Sequence, residues 1–293
     1  MWYTLALLSA VFYSFRGILE KRIIHNVNKY VLGLGIRLFA LPFFFIPFFI
    51  NPHLAQPLMH LNTSFWFAIF MICFVNTPLE TYFYYEALKK DELTLVLPIL
   101  ALGPVITLLS GAIFLKEIPS LFGIFGVLCI VLGLYTLKLQ HAKNGLLEPL
   151  HHLRNNRGVQ LMFVVMISQG IAAIFDKAGV INSNAYIYAL LNYIGVSITL
   201  FILAYIKAKK YLNQLLIHAK SFIILGIVIA AYTLLYFVAL QSGFAAYASA
   251  IKGSYIIFTI LFGLLVLKEK EGKQKLLAGF IIFLGLALLK IFG

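Results

Sequence analysis

The stretch TLLSGAIFLKE at residues 107–117 recurs as TILFGLLVLKE at residues 259–269. The two copies share a threonine, a leucine, a glycine and a final Leu-Lys-Glu at corresponding positions. Apolar sequences match by chance at leucine or isoleucine, but a shared threonine, glycine and charged end indicates common descent. The same constant shift aligns Ala87–Glu117 with Ala239–Glu269 without a gap. The chain therefore contains an internal duplication.

The composition around this duplication is that of a membrane protein. Of the 293 residues, 62% are hydrophobic and 11% are charged, whereas about one-quarter of a soluble domain is charged. The net charge is +13, and the basic residues lie mainly in short connectors between apolar runs, where they face anionic headgroups. We therefore expect the lipid bilayer as a partner and exclude nucleic-acid binding.

Apolar runs long enough to cross a bilayer define the predicted spans. A membrane helix needs roughly 20 apolar residues. The predicted transmembrane helices cover 2–23, 31–50, 65–88, 93–115, 120–138, 159–178, 185–206, 222–241, 245–267 and 275–291. A basic connector at 139–158 separates a first five-helix repeat at 1–138 from a second at 159–293.

The number of helices in each repeat sets their relative orientation. Five is odd, so the second repeat must enter the membrane from the side opposite to the first. We therefore predict an all-α integral membrane protein with ten transmembrane helices arranged as two inverted five-helix repeats. Such pseudo-symmetry is typical of secondary transporters, because it allows two packings, each open to one side.

Two charged residues lie deep inside predicted helices. Glu80 is far inside the third helix, and Lys252 is about two turns into the ninth. A charge at the bilayer centre costs about 2.5–3.5 kcal/mol on insertion scales, so each is a candidate solute ligand. The alternative for Glu80 is a structural pair with a buried base. Lys252 would either pair with a buried partner, for which Glu80 is the first candidate, or hold an anionic solute group.

Further polar residues share helical faces with these charges or with each other. Tyr13, Arg16 and Glu20 lie on one face of the first helix, and Arg16 can neutralise Glu20 four residues on. The equivalent sixth helix carries Gln169 and Asp176, which suggests a site shared by the repeats. The remaining candidates are tyrosines that could contact a solute or serve as packing: Tyr84, Tyr232, Tyr236 and Tyr255.

Enzymatic and cofactor chemistry finds no support in the sequence. No phosphate-binding loop, nucleophile elbow, metal-ligand cluster or nucleotide-binding motif is present. We predict a protein that is not an enzyme, with no catalytic residue, no metal and no cofactor. Its partner besides lipid would be a small-molecule solute, and the protein would be a monomer or homodimer.

The order of several weak motifs resembles the EamA-type members of the drug/metabolite transporter superfamily. Tyr85-Glu86-Ala87-Leu88 resembles the family's Tyr-x-Ala-Leu signature, and Pro104 precedes Glu117 at a similar spacing. Other positions are similar to those of the family: Lys21, Arg37, Gly126, Gly133, Gly279 and Gly285. The resemblance covers essentially the whole chain and implies a ten-helix basket around a central solute cavity. Residues 12–17 (FYSFRG) depart from the family's usual Trp-Gly run.

The resulting hypothesis is a secondary transporter that moves a small polar or amphipathic metabolite by alternating access. Proton coupling is left open. The alternatives are a flippase for lipids or lipid-linked sugars, which would use headgroup-level bases such as Lys21 and Arg22, or a non-transporting membrane scaffold. We expect a multi-pass protein of a bacterial or archaeal cell membrane. Its orientation stays open, because bases in the connectors favour external termini and the resemblance favours internal ones.

Overall fold

Helices form all of the secondary structure in the described part of the chain. The computed structural model describes residues 1–23, 26–91, 96–138, 156–259 and 273–292. The α-helices are α1 (Trp2–Ile23), α2 (Lys29–Leu38), α3 (Leu41–Ile50), α4 (Thr63–Phe70), α5 (Thr77–Lys90), α6 (Gly103–Ser110), α7 (Leu121–Lys138), α8 (Arg157–Ile181), α9 (Ala185–Ala208), α10 (Gln214–Ile217), α11 (Ala219–Ser242), α12 (Ala245–Gly253) and α13 (Lys273–Phe292). Short 3₁₀-helices cover Pro52–His60, Leu97–Leu102 and Lys209–Tyr211.

Six segments of the described residues are long and apolar enough to cross a membrane. They are Lys29–Ile50, Thr63–Tyr84, Pro98–Leu115, Arg157–Ile181, Ala185–Tyr211 and Ala219–Ser242. Shorter apolar helices cover Leu121–Leu137 and Leu277–Phe292. The predicted ninth span, 245–267, lies partly outside the described residues, so the number of ten helices stays a prediction. Large apolar side chains such as Ile113 and Phe114 are exposed on the outside of these helical segments, which fits lipid as the solvent.

Prolines divide several predicted spans into shorter helical pieces. The third predicted span consists of α4, a π-helix at Met71–Asn76 and α5. Pro78 at the start of α5 has no N–H, and its ring would clash with the carbonyl four residues earlier, so the preceding turn widens. The Thr77 hydroxyl donates a 2.8 Å hydrogen bond to the Ile72 carbonyl within this wider turn.

The chain folds as two compact units. Unit 1 comprises Met1–Pro78 and Phe175–Ser242, and unit 2 comprises Leu79–Ile174 and Gly243–Gly293. Unit 1 thus takes one segment from each half of the sequence, whereas the first segment of unit 2 runs from the first half into the second. The units are defined by spatial contacts, whereas the predicted repeats were defined by similarity along the chain, and the repeat boundaries stay a prediction.

Unit 1 is built on close contacts between α1 and α11 and between α2 and α9. Ala6 and Ala10 of α1 are fully buried, and these small side chains let the helices approach closely. Ser9 between them donates a 2.9 Å hydrogen bond to the Tyr232 carbonyl of α11. This contact fixes the register of α1 against α11.

Unit 2 is built on the contact between α7 and α13. Its core includes the fully buried side chains of Ile99, Ile130 and Met162. Helix α12 packs against α6 and α7 in the same unit, so the helix that carries Lys252 is held on two sides.

Candidate functional site

Unit 1 contains a cluster of charged and hydroxyl-bearing side chains on four helices. We call it the arginine cluster; its members are Tyr13, Arg16 and Glu20 of α1, Arg37 of α2, Tyr193 of α9, and Tyr232 and Thr233 of α11.

The α1 side of the cluster is organised around the Arg16 guanidinium. Its Nε donates a 2.7 Å hydrogen bond to Glu20 Oε1, one helical turn later. Its Nη1 lies 3.3 Å from the Tyr232 hydroxyl and 3.4 Å from the Tyr13 hydroxyl. The Tyr13 and Tyr232 rings meet edge to face with centroids 4.9 Å apart. The Arg16 and Glu20 side chains keep 20% and 22% of their surface accessible, so the pair is not sealed in a dry core.

The second guanidinium of the cluster belongs to Arg37. Its Nη1 donates a 2.7 Å hydrogen bond to the Tyr193 hydroxyl, which is 2.8 Å from Thr233 Oγ1. Arg37 also interacts with the Tyr232 hydroxyl and is repelled by the charge of Arg16. Two cations and one carboxylate therefore share the same region of unit 1.

A second polar group in unit 1 is centred on Tyr188 of α9. This side chain is fully buried, and its hydroxyl donates a 2.7 Å hydrogen bond to Asp176 Oδ1. Asn192, one turn later on α9, donates a 3.0 Å hydrogen bond to the same hydroxyl. The Asp176 carboxylate is thus held by a tyrosine whose own position is fixed by an amide.

Unit 2 holds the Glu80 carboxylate close to α8. Gln169 Nε2 donates a 2.6 Å hydrogen bond to Glu80 Oε1, and both residues are partly buried. The described partner of Glu80 is therefore the amide of Gln169, a contact that the sequence did not predict. The pairing of Glu80 with Lys252 stays a prediction.

The helix that carries Lys252 is capped by a distant carboxylate. Glu117 Oε2 accepts a 2.8 Å hydrogen bond from the backbone N–H of Ala245, the first residue of α12. A carboxylate at a helix N-terminus satisfies a free N–H group and stabilises the positive end of the helix dipole. Lys252 follows in the last turn of α12 and is partly buried, as is Tyr255 just beyond it.

The two halves of the sequence match the model of the EamA-like transporter family over residues 1–139 and 156–291. The chain belongs to this family. The resemblance predicted from the motifs is thereby confirmed, and so is a multi-pass integral membrane protein. The family is one of transporters, which agrees with the prediction that the protein is not an enzyme.

Solved structures share the fold of this EamA-like transporter. Among 27 matching chains is one titled "Crystal structure of protein". It is 11% identical in sequence, covers 98% of this chain and 96% of its own, and superposes with a TM-score of 0.74. At this identity the likeness establishes the fold alone. No curated protein sequence matches the transporter significantly.

The predicted site residues of the EamA-like transporter fall into separate groups. Tyr13, Arg16, Glu20 and Tyr232 meet in the arginine cluster, and the predicted Arg16–Glu20 ion pair is present. Asp176 belongs to the Tyr188 group of unit 1, while Glu80 and Gln169 bond to each other in unit 2.

The two other predicted tyrosines of α5 and α11 lie among packing residues. Tyr84 is partly buried and packs against a hydrophobic cluster that includes Ile99 and Met162. Tyr236 is 3% exposed, and its ring lies beside that of Phe237. Whether either ring contacts a solute stays a prediction.

Three members of the arginine cluster were missing from the predicted site. Arg37 could have been predicted as a site residue, because it is a charge inside an apolar span. In the sequence analysis it appears only as a position similar to one of the family. Tyr193 and Thr233 carry no signal that separates them from the other tyrosines and threonines of the spans. The side chains of Lys21 and Arg22, which a flippase would use, lie outside the described residues.

A surface depression of unit 2 lies away from these groups. Its volume is about 310 Å³, and its lining consists of Tyr82, Phe83, Glu86, Lys90, Arg157 and Leu161. None of the predicted site residues lines it. Within the described ranges, no group of three histidine, cysteine, aspartate or glutamate side chains could hold a metal ion.

The Tyr188 group can be tested by removing one hydroxyl. Tyr188→Phe is expected to cost about 1–3 kcal/mol of stability, because the Asp176 carboxylate and the Asn192 amide both lose a buried hydrogen bond. The measurement is thermal unfolding of the purified protein in detergent. Tyr205→Phe on the same helix, where the ring is 47% exposed, serves as the control and should leave the melting temperature unchanged. Equal melting temperatures for both variants would contradict a stabilising role for the Tyr188 hydroxyl.

Proposed function

We propose that this EamA-like transporter is a secondary transporter that moves a small polar or amphipathic metabolite by alternating access. In this proposal, ten transmembrane helices form two inverted five-helix repeats around a central cavity. The family match over both repeats and the sequence duplication support it. An inverted duplication supplies two packings of similar energy, which alternating access requires.

The arginine cluster is the observation that carries this proposal. A membrane helix gains nothing in stability from a charge in its apolar face, because each charge resists insertion into the bilayer. Two arginines, a glutamate and three tyrosines nevertheless converge from four helices of unit 1, with part of the ion pair accessible. Such groups form hydrogen bonds with a polar solute. These bonds replace those to the water that the solute loses when it enters the protein.

The other predicted residues take supporting roles in the same function. We propose Glu80 as a solute ligand or as the group that binds and releases a proton, oriented by Gln169. Lys252 and Tyr255 would contact the solute from the end of α12. Asp176, Tyr84 and Tyr236 complete the proposed set of solute contacts.

Transport is tested with proteoliposomes loaded with a mixture of cell metabolites, whose efflux is followed by mass spectrometry. At least one small solute should leave faster than from protein-free liposomes. Glu80→Gln and Lys252→Ala should each lower that efflux several-fold without changing the amount of folded protein, since a solute contact would be lost. Two positions outside the proposed set of solute contacts serve as matched controls: the partly exposed Glu86 in Glu86→Gln and the exposed Lys210 in Lys210→Ala.

Two outcomes would count against the proposal at different levels. Wild-type efflux in both Glu80→Gln and Lys252→Ala would remove these two residues from the solute site. Efflux no faster than from protein-free liposomes, for every solute of the mixture, would contradict the transport function itself.

A further inference from the structure

The charges of the arginine cluster do not balance. The carboxylate of Glu20 is committed to Arg16, with a 2.7 Å contact between Oε1 and Nε. Arg37 contacts the hydroxyls of Tyr193 and Tyr232, and no carboxylate of the described residues lies within ion-pair distance of it. The cluster therefore carries one net positive charge.

An unbalanced guanidinium in a membrane span is costly. Hydroxyl dipoles solvate it only in part, and the nearby charge of Arg16 raises the cost further. Arg37 would gain more from an anion than it does from tyrosine hydroxyls, because an anion adds the attraction between two full opposite charges to the hydrogen bond, whereas a hydroxyl offers only a dipole.

The donor geometry of Arg37 also suits an anion. A guanidinium has five N–H donors in one plane, which match the paired oxygens of a carboxylate or a phosphate group. Arg37 contacts only two tyrosine hydroxyls, so it has more donors than protein partners in the described structure. The edge-to-face rings of Tyr13 and Tyr232 adjoin the charged groups and offer apolar surface to the rest of a solute.

We propose that the solute carries one anionic group, a carboxylate or a phosphate, and that Arg37 binds this group beside the Arg16–Glu20 pair. The inference rests on the proposed transport function and names the substrate class of that site. One net positive charge calls for one negative charge on the solute, while Glu20 continues to neutralise Arg16. The flanking tyrosine rings favour an anion with an apolar or aromatic body.

The test is thermal unfolding of the full-length protein in detergent with matched small probes. The anions are benzoate, phenyl phosphate and inorganic phosphate; the neutral and cationic counterparts are benzamide and benzylamine. A probe that binds the folded protein raises its melting temperature. We expect benzoate or phenyl phosphate to raise it and benzamide and benzylamine to leave it unchanged. Benzoate acting alone assigns a carboxylate, and phenyl phosphate or inorganic phosphate acting alone assigns a phosphate.

Three variants separate the site from general anion effects. Arg37→Gln should weaken the binding of the stabilising anion by about ten-fold or more, since a charged hydrogen bond is lost. Arg37→Lys should keep part of the affinity, because the charge remains without the planar fork, and it also serves if Arg37→Gln fails to fold. Arg157→Gln, an exposed arginine of unit 2, should behave as wild type.

The inference and the transport proposal can fail separately. Anions that stabilise Arg37→Gln or Arg37→Lys as well as wild type, or no stabilisation by any of the three anions, would overturn the anion inference. Efflux of only neutral or cationic solutes from proteoliposomes would also overturn it and leave transport intact. Anion binding that depends on Arg37 in a protein without any efflux would support the anion site and contradict transport.

Discussion

Gly285→Leu is expected to leave little folded protein, whereas Gly279→Leu on the same helix should be tolerated. A Cβ atom added to Gly285 would lie 2.6 Å from the Gly126 carbonyl oxygen and 2.9 Å from the Ile130 backbone nitrogen. These atoms belong to the backbone of α7 and cannot move aside. A Cβ atom at Gly279 would meet nothing within 4 Å.

The size of the effect follows from the cost of separating two helices. Overpacking costs about 1–3 kcal/mol for small additions, and a leucine adds several atoms to a contact between backbones. The free energy of unfolding of an ordinary domain is only about 5–15 kcal/mol. The cost of overpacking at Gly285 is therefore a large share of the total stability. Close approach of α7 and α13 at Gly126 and Gly285 also supplies the dispersion contacts that hold membrane helices together.

The comparison is made on the yield of monodisperse protein in detergent and on its melting temperature. Gly285→Ala should fall between wild type and Gly285→Leu, because it introduces the clash with one carbon alone. If Gly285→Leu and Gly279→Leu were equally stable, α7 and α13 would not pack as closely as described.

Glu20→Gln is expected to destabilise the protein more than Arg16→Gln does. Glu20→Gln leaves the guanidiniums of Arg16 and Arg37 in the cluster without a carboxylate, whereas Arg16→Gln leaves one guanidinium and one carboxylate there. Breaking one partner of a buried ion pair costs about 3–5 kcal/mol. We expect about 2 kcal/mol for Glu20→Gln, because about a fifth of the pair's surface is accessible and solvent screens part of the interaction.

The double variant provides the sharper measurement. Arg16→Gln with Glu20→Gln removes one charge of each sign and restores the net charge of the cluster, so it should be more stable than Glu20→Gln alone. The coupling from this cycle should be about 1–3 kcal/mol, as for residues in direct contact. The Glu86–Lys89 pair, whose side chains are 28% and 59% accessible and so more open to solvent than those of Arg16 and Glu20, is the control and should show coupling below about 1 kcal/mol. Additive effects at Arg16 and Glu20 would mean that their contact contributes nothing.

The sequence by itself determined the class of the protein and its duplication. An apolar run is formed by residues that follow one another in the chain. Candidate membrane spans can therefore be predicted from the sequence without knowledge of the tertiary structure. The Arg16–Glu20 pair was predictable for the same reason, because residues four apart meet on any α-helix. The family match over both halves agrees with these local signals.

Only the tertiary structure decided which helical faces meet. It brought Arg37 and Tyr193 to the Arg16–Glu20 pair. It likewise set Gln169 against Glu80, a contact that the sequence did not predict. These contacts join residues far apart in the chain, and their geometry depends on the depth and rotation of each helix. In membrane helices that geometry is set by small-residue contacts such as Gly126 with Gly285, which hydropathy does not report.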